Sequence, residues 1–305
     1  MSKLVVIDGH AILYRAYHAL PSLSAPNGRL VNAVYGFCRM LLKIITDFEP
    51  RYLLVAFDTP KPTFRHKKFI GYQIKRPKMD KELAGQIVVV KEILQAMKIK
   101  FLAKEGYEAD DIIGTLSRKV FLKSKVKTKK SKLKIVIVTG DRDLMQLVNK
   151  QTNLFIPIKG LSNGQIVDKK YVEKDLGIRP DQVVDYKALM GDNSDNYPGV
   201  AGVGPKTAVK LLRKFGSLDN IYCSLDKVES ASLAAKLKEG KKAAYLSQDL
   251  AKIRCNIPFK IKIKDLRLKG WRNEATVEVF KNLGFRSLVK EMENKRDSSK
   301  QAKLF

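Results

Sequence analysis

Residues 133–143 read LKIVIVTGDRD. An apolar run stops at Thr139 and Gly140 and is followed at once by two carboxylates, Asp141 and Asp143. Two other runs have the same form: KLVVID (3–8) ends on Asp8, and YLLVAFD (52–58) ends on Asp58. Strands that are apolar at almost every position are buried on both faces, as in a parallel sheet covered by helices. The intervening segments NAVYGFCRMLLKIITDF (32–48), LAGQIVVVKEILQAM (83–97) and EADDIIGTLSRKVFL (108–122) carry apolar residues at helical spacing. The alternation predicts an α/β fold with a mostly parallel central sheet flanked by helices. In such sheets ligands bind outside the carboxyl ends of the strands. One aspartate there is ordinarily a turn or N-cap residue; three strands ending this way point to a site.

The chain has 305 residues, 45% of them hydrophobic, enough for a sizeable core. Lys and Arg number 59 against 31 Asp and Glu, a net charge of +28. Such an excess attracts polyanions, nucleic acid first among them; charge alone leaves a ribosomal or membrane-surface role open. There is no apolar run of membrane-spanning length and no signal-peptide pattern at the N-terminus. Cys38, Cys223 and Cys255 are widely spaced, which fits small buried hydrophobes in a reducing, cytoplasmic setting and argues against a thiolate metal site.

EGYEADDIIG (105–114) places Glu108, Asp110 and Asp111 at a helix start. The helix dipole favours acids there, but three in four positions repel one another. With GDNSDN (191–196) the candidates become Asp8, Asp58, Glu108, Asp110, Asp111, Asp141, Asp143, Asp192 and Asp195. Carboxylates at this density suit a hard divalent cation, Mg2+ or Mn2+. Two ions about 4 Å apart would serve phosphodiester cleavage without a nucleophilic side chain. Neither a serine elbow nor a Walker-type loop is present.

Beyond about residue 170 the sequence reads as mainly helical, with short helices in VDKKYVEKDLG (167–177), RPDQVVDYKALM (179–190) and GPKTAVKLLRKFG (204–216). The loop before the last of these holds Gly199, Gly202 and Gly204, followed by Lys206. Glycines let backbone approach a phosphate closely, and the helix N-terminus directs N–H groups at it. This predicts contact with a DNA backbone that positions a duplex without reading its sequence. KSKVKTKKSKLK (123–134) reads as a solvated lysine-rich loop, and NKRDSSKQAKLF (294–305) as a polar tail.

DGHAILYRAYHA, AFDTPKPTFRH, GYEADDIIGTL, TGDRDLMQLV and GDNSDNYPGVAGVGPKTA resemble, in this order, the motifs of the bacterial 5′ nucleases. That family comprises the 5′–3′ exonuclease domain of DNA polymerase I and the flap endonucleases. The resemblance runs from about residue 3 to about 290. It implies a PIN-like nuclease core over 1–170 with a helical arch at about 60–83, and a helical region over 171–292 with a helix-three-turn-helix at about 183–216. A flexible tail would occupy 293–305. It implies metal-dependent cleavage of DNA at 5′ flaps, nicks and ends, and removal of RNA primers from DNA hybrids. By motif match, Asp8, Asp58, Glu108 and Asp110 form a first metal site. Asp111, Asp141, Asp143, Asp192 and Asp195 form or support a second. Gly199, Gly202, Gly204, Lys206 and Thr207 would hold the duplex, with a K+ ion at that loop as in relatives.

The arch would carry Phe64, Arg65, Tyr72, Lys75 and Arg76 to the DNA, cations interleaved with aromatics as a single strand requires. Arg76 matches the family's Tyr-Lys-x-x-Arg run and joins the catalytic set. The run here is YQIKR, so Gln73 stands where the family has lysine. Tyr14 and Arg15 match a substrate-contacting pair; His18 is left between substrate contact and helix packing. The last five residues, QAKLF, resemble a peptide that docks on the sliding clamp, with Gln301 polar and Leu304 and Phe305 apolar anchors. The sequence leaves open whether this is a free-standing nuclease or a piece of a longer chain. The competing readings are a catalytically weak flap-binding protein of the same fold and a PIN-type ribonuclease.

Overall fold

The computed structural model describes residues 2–126, 133–158 and 163–301. Strands and helices alternate as β1 (Lys3–Asp8), α1 (Gly9–Ala19), α2 (Asn32–Phe48), β2 (Tyr52–Phe57), α3 (Phe64–Lys68), α4 (Lys81–Ala96), β3 (Lys100–Ala103), α5 (Ala109–Val126) and β4 (Lys134–Val138). Next come β5 (Thr152–Pro157), β6 (Gly164–Val167), α6 (Lys169–Leu176), α7 (Val183–Met190), α8 (Pro205–Phe215), α9 (Leu218–Cys223), α10 (Ala231–Glu239), α11 (Lys241–Ala251), α12 (Glu274–Asn282) and α13 (Arg286–Gln301). The sheet order is β3-β2-β1-β4-β5-β6, parallel except for the antiparallel edge pair β5–β6.

The alternation of side chains across the pleat explains the apolar runs. Val5 and Ile7 of β1 face one core with Val55 and Phe57 of β2, packed by α1, α2 and α4. Leu4 and Val6 face the other with Leu54, Ala56, Ile135 and Ile137, packed by α5, α7 and α8. In β1, β2 and β4 every residue after the first has a buried destination, so no polar residue fits until the strand ends. Val277, Phe280, Leu288 and Met292 of α12 and α13 return to the first core, so the packing of the N-terminal half is finished by the end of the chain. Among the described residues no helix is long and apolar enough to cross a membrane.

Several expectations change. The segment between β2 and α4 contains only the five-residue helix α3; residues 69–80 are turns and irregular backbone. Helix α5 reaches Val126 into the expected lysine-rich loop, and α13 reaches Gln301 through most of the expected flexible tail. Residues 127–132 of that loop, and Leu304 and Phe305, lie outside the described residues. Cys38 is buried as expected, but Cys223 is exposed.

Candidate metal centre

The carboxyl edge of the sheet gathers the acids because each strand end doubles as a helix start. Asp8 closes β1 and caps α1, its Oδ1 accepting from Ala11 N–H at 3.1 Å. Its Oδ2 accepts from the buried Thr139 hydroxyl at 3.0 Å. Thr139 also accepts from Asp141 N–H at 2.9 Å, so one hydroxyl at the end of β4 fixes two carboxylates. Asp58, just beyond β2, accepts from Ala109 N–H at 2.7 Å and thereby caps α5 across the sheet edge. Asp141 Oδ1 in turn accepts from Asp143 N–H at 2.7 Å. Asp192 builds its own loop, its Oδ1 accepting from Ser194 N–H at 2.7 Å and Asp195 N–H at 3.1 Å.

The electrostatics show which acids share a space. Burial pushes the Asp8 carboxyl up, and Asp58 and Asp141 push it further. Asp110 is raised by burial, then by Asp141 and Asp8. Glu108 is pushed up to about 7, chiefly by burial against the opposing pull of Arg65, with Asp111, Asp58 and Asp195 adding to the rise. Asp143 is raised by burial and by Asp141. Asp141 itself is raised by burial, and it is felt from both sides: by Asp8 and Asp110 on one and by Asp143 on the other. It therefore links Asp8 and Asp110 to Asp143, while Asp195 is felt by both Glu108 and Asp141.

The donor set fits a hard divalent cation: it is all carboxylate, and the two nearby imidazoles are engaged, His10 Nδ1 accepting from Asp58 N–H at 3.0 Å and His66 Nδ1 from Thr63 N–H at 3.2 Å. Among the described residues no three of these acids converge tightly enough to make a finished coordination shell; mutual repulsion opposes closer approach.

Lys187 was not singled out in the sequence. Its ammonium bridges Asp143, at 2.5 Å, and Asp192. Burial opposes its charge, but the two acids win and raise its pKa. In return Asp192 is lowered despite its burial, through Lys187 and Ser194. The motif DYKALMGD held the signal: Lys187 and Asp192 are five residues apart across the end of α7.

Two expected site residues have another place. Asp111 is fully buried and saturated. Its Oδ1 accepts from Arg65 Nη2 at 3.0 Å and Arg254 N–H at 2.8 Å, and its Oδ2 from Arg65 Nη1 at 2.9 Å and Glu108 N–H at 3.1 Å. No oxygen is left for a metal. Arg65, only 2% exposed, spends its remaining donors on Leu250 O at 2.8 Å and Lys252 O at 3.1 Å. It staples α3 to α5 and to the end of α11 and is closed to DNA. Tyr72 is also buried, its hydroxyl donating toward Glu108 Oε2 (3.3 Å) and Asp195 Oδ2 (3.4 Å). Gly199 is buried as well: with φ +65°, a Cβ would lie 2.2 Å from Gly191 N, so the glycine is required by a close backbone approach.

The other candidate contacts are accessible. Tyr14 is 50% exposed. Arg15 is partly exposed and donates to Ile158 O at 2.6 Å. His18 packs edge-on against Tyr14 and Tyr17. Phe64 is half-buried beneath the Arg65 and Arg254 guanidinium groups. Lys75 and Arg76 are exposed, and Arg76 lies near enough to lower Asp141. Gly202, Gly204 and Lys206 are exposed at the start of α8, with Thr207 half-buried. Gly204 N-caps α8 and Pro205 begins it, which leaves N–H groups of the first turn to face outward.

A buried acid cluster at the carboxyl edge of the sheet, in a basic chain, pairs a place for hard cations with a surface that attracts polyanions. Residues 3–177 match the family described as 5′-3′ exonuclease, N-terminal resolvase-like domain, and residues 178–274 match 5′-3′ exonuclease, C-terminal SAM fold. The chain belongs to the 5′–3′ exonuclease family. It is 37% identical over 305 residues to a 5′-3′ exonuclease of Aquifex aeolicus, covering 100% of both chains. It is 41% identical over 292 residues to DNA polymerase I of Bacillus caldotenax, covering 96% of this chain and 32% of that protein. The chain thus spans about a third of the length of the polymerase relatives it matches. Among solved structures, T5 5′-exonuclease with bound divalent metal ions (zinc) has a TM-score of 0.65 at 17% identity, covering 96% of this chain and 97% of that one. The catalytic core of Rad2 in complex with DNA substrate has a TM-score of 0.53 at 16% identity, covering 92% and 87%. At these identities the likeness concerns the fold.

Proposed function

We propose that this protein is a structure-specific 5′ nuclease that needs Mg2+ or Mn2+ and hydrolyses phosphodiester bonds of DNA at 5′ flaps, nicks and free 5′ ends. The observation that carries the reading is the gathering of eight carboxylates at one sheet edge in a chain of net charge +28. Asp8, Asp58, Glu108 and Asp110 would hold one ion, and Asp143, Asp192 and Asp195 a second, with Asp141 between them. When bound, the ions lower the pKa of the attacking water and stabilise the leaving oxygen. Thr139 and Arg65 keep donors in place: Thr139 holds Asp8 and Asp141, and Arg65 pairs with Glu108 at 3.1 Å. Lys75, Arg76 and Lys206 neutralise phosphates outside the cleft. The exposed Gly202, Gly204 and Lys206 support the duplex, and that loop is proposed to hold a K+ ion. In the cell this activity serves removal of RNA primers and repair.

The test is cleavage of a 5′-labelled double-flap DNA with Mg2+, with EDTA and with Asp141→Ala. The reading expects cutting at the flap base in the first reaction alone. Gln73, where the family has lysine, supports the second reading, a flap binder with weak catalysis; tight flap binding without cutting would select it. An equal or faster rate on RNA flaps would select the ribonuclease. Gln301, Leu304 and Phe305 are proposed to dock on the sliding clamp: deleting 301–305 should abolish clamp binding in calorimetry and leave cleavage of a free flap unchanged.

A further inference from the structure

Residues 69–76 run as consecutive tight turns directly against the loop that carries Asp195. Tyr72 N–H donates to Phe69 O at 3.0 Å, and Arg76 N–H to Gln73 O at 2.9 Å. The two segments are joined from both sides. Gln73 N–H donates to Asp195 O at 2.9 Å, and its Nε2 donates to Asp195 Oδ1 at 2.9 Å. Asn196 Nδ2 donates back to Gly71 O at 2.8 Å. Gln73 and Asn196 have φ of +54° and +56°, two of the few non-glycine residues here in the left-handed region. Asparagine tolerates this region and glutamine does not, so Gln73 in particular holds strained backbone to make this junction. Outside it the segment is open: Ile70 is 92% exposed, Ile74 66%, and Lys75 and Arg76 are exposed too.

We propose that Gln73 is a positioning residue for Asp195, and that residues 69–76 are a strap it latches across the acid cleft. The proposal rests on Asp195 being a metal donor. The chemistry of the amide matters. Lys187 fixes Asp192 with a full positive charge, whereas Gln73 fixes Asp195 with a neutral donor. The amide orients Oδ1 and leaves the carboxylate's charge for a cation. It also ties the carboxylate to the exposed basic segment that carries Lys75 and Arg76. A strap and a cation that favour the same Asp195 geometry strengthen one another by the same factor.

The test is a calorimetric titration of Mn2+ into the full chain, paired with limited trypsin digestion after Lys75 and Lys78. Gln73→Ala should weaken Mn2+ binding by about 10-fold, the loss typical of a group that orients a ligand. Mn2+ should slow cleavage of the strap in the wild type and fail to do so in Gln73→Ala. Gln73→Lys should weaken Mn2+ binding, because it cancels charge. Asn196→Gly keeps the left-handed backbone and removes only the bond to Gly71. It should speed strap cleavage and leave Mn2+ affinity within about twofold. Mn2+ binding and protection equal in the wild type and Gln73→Ala would overturn the proposal while the metal reading stands. A wild type that binds no Mn2+ would overturn both.

Discussion

Asp110 and Asp111 are consecutive residues in the first turn of α5, Asp111 sealed in the core and Asp110 half-buried at the cleft, and they do opposite work. Asp111 has four donors on its two oxygens and a guanidinium against it. Asp110 faces Asp141, Asp8, Glu108 and Asp58, and its carboxyl is raised by burial and by that company. A helix turns about 100° per residue, which is enough to send one acid to a cation built into the fold and the next into a cleft of like charges. The two acids are told apart by burial and by the sign of the surrounding charge together.

Breaking the structural side of this pair should have the largest effect on stability. Asp111→Ala removes the two-oxygen partner of the buried Arg65 guanidinium, leaving it Glu108 as its one carboxylate, and should cost about 3–5 kcal/mol in urea unfolding. Asp110→Asn should do the reverse: metal-free stability rises by about 1 kcal/mol as a buried like charge is removed, while flap cleavage falls at least about 100-fold. A large loss of stability in Asp110→Asn would erase the distinction.

The cleft should also announce itself in pH. Glu108 has an ordinary value of 4.5 and is raised to about 7 in the fold, and Asp8, Asp110, Asp141 and Asp143 move the same way. Carboxyls with raised folded values bind protons more readily folded than unfolded, so their contribution is most favourable below about pH 4.5 and is lost as pH rises through 7. Metal-free stability should decline across that window, and Mg2+ should flatten the decline. A metal-free chain whose melting temperature holds level from pH 5 to 8 would contradict the clustering of charge.

Smaller effects follow at the rim. Lys187→Gln removes a cation shared by Asp143 and Asp192, so Mn2+ should bind a few-fold more tightly in calorimetry as the two acids recover charge. Weaker binding would mean that Lys187 holds the acids in place more than it opposes a metal. For the duplex surface, neutralising about six phosphates gives a slope of log K against log salt of about −5, measured by flap-binding titration in KCl. A slope near zero would remove the electrostatic account.

How much of this the sequence could tell depends on where each partner lies along the chain. Strands β1, β2 and β4 were legible because both faces are buried and the run is apolar throughout. The edge strands β3 and β6, and β5 beside β6, were missed: KFLA has no fully buried residue, and TNLFIP and GQIV mix in polar residues and carry Pro or Gly at one end. The acids stood out against a basic chain. Their sorting did not, because the residue that claims Asp111 is Arg65, 46 positions away. Lys187 was one lysine among many, although its spacing from Asp192 across a helix end carried a usable signal. Gln73 was visible as a departure from the family's run, but its partner Asp195 is 122 residues distant. Local pattern reveals what local geometry fixes; cross-chain pairing requires the fold.

The central claim is that Asp110, unlike its neighbour, is a donor to a divalent cation. The direct measurement is the melting temperature of the wild type and of Asp110→Asn, each with EDTA and with Mg2+ or Mn2+. A cation that binds only the folded chain raises its melting temperature. The account predicts a rise with metal in the wild type and essentially none in Asp110→Asn, whose EDTA value already lies above that of the wild type. Equal metal-induced shifts in the two proteins would show that the acid cleft around Asp110 is not where the metal binds.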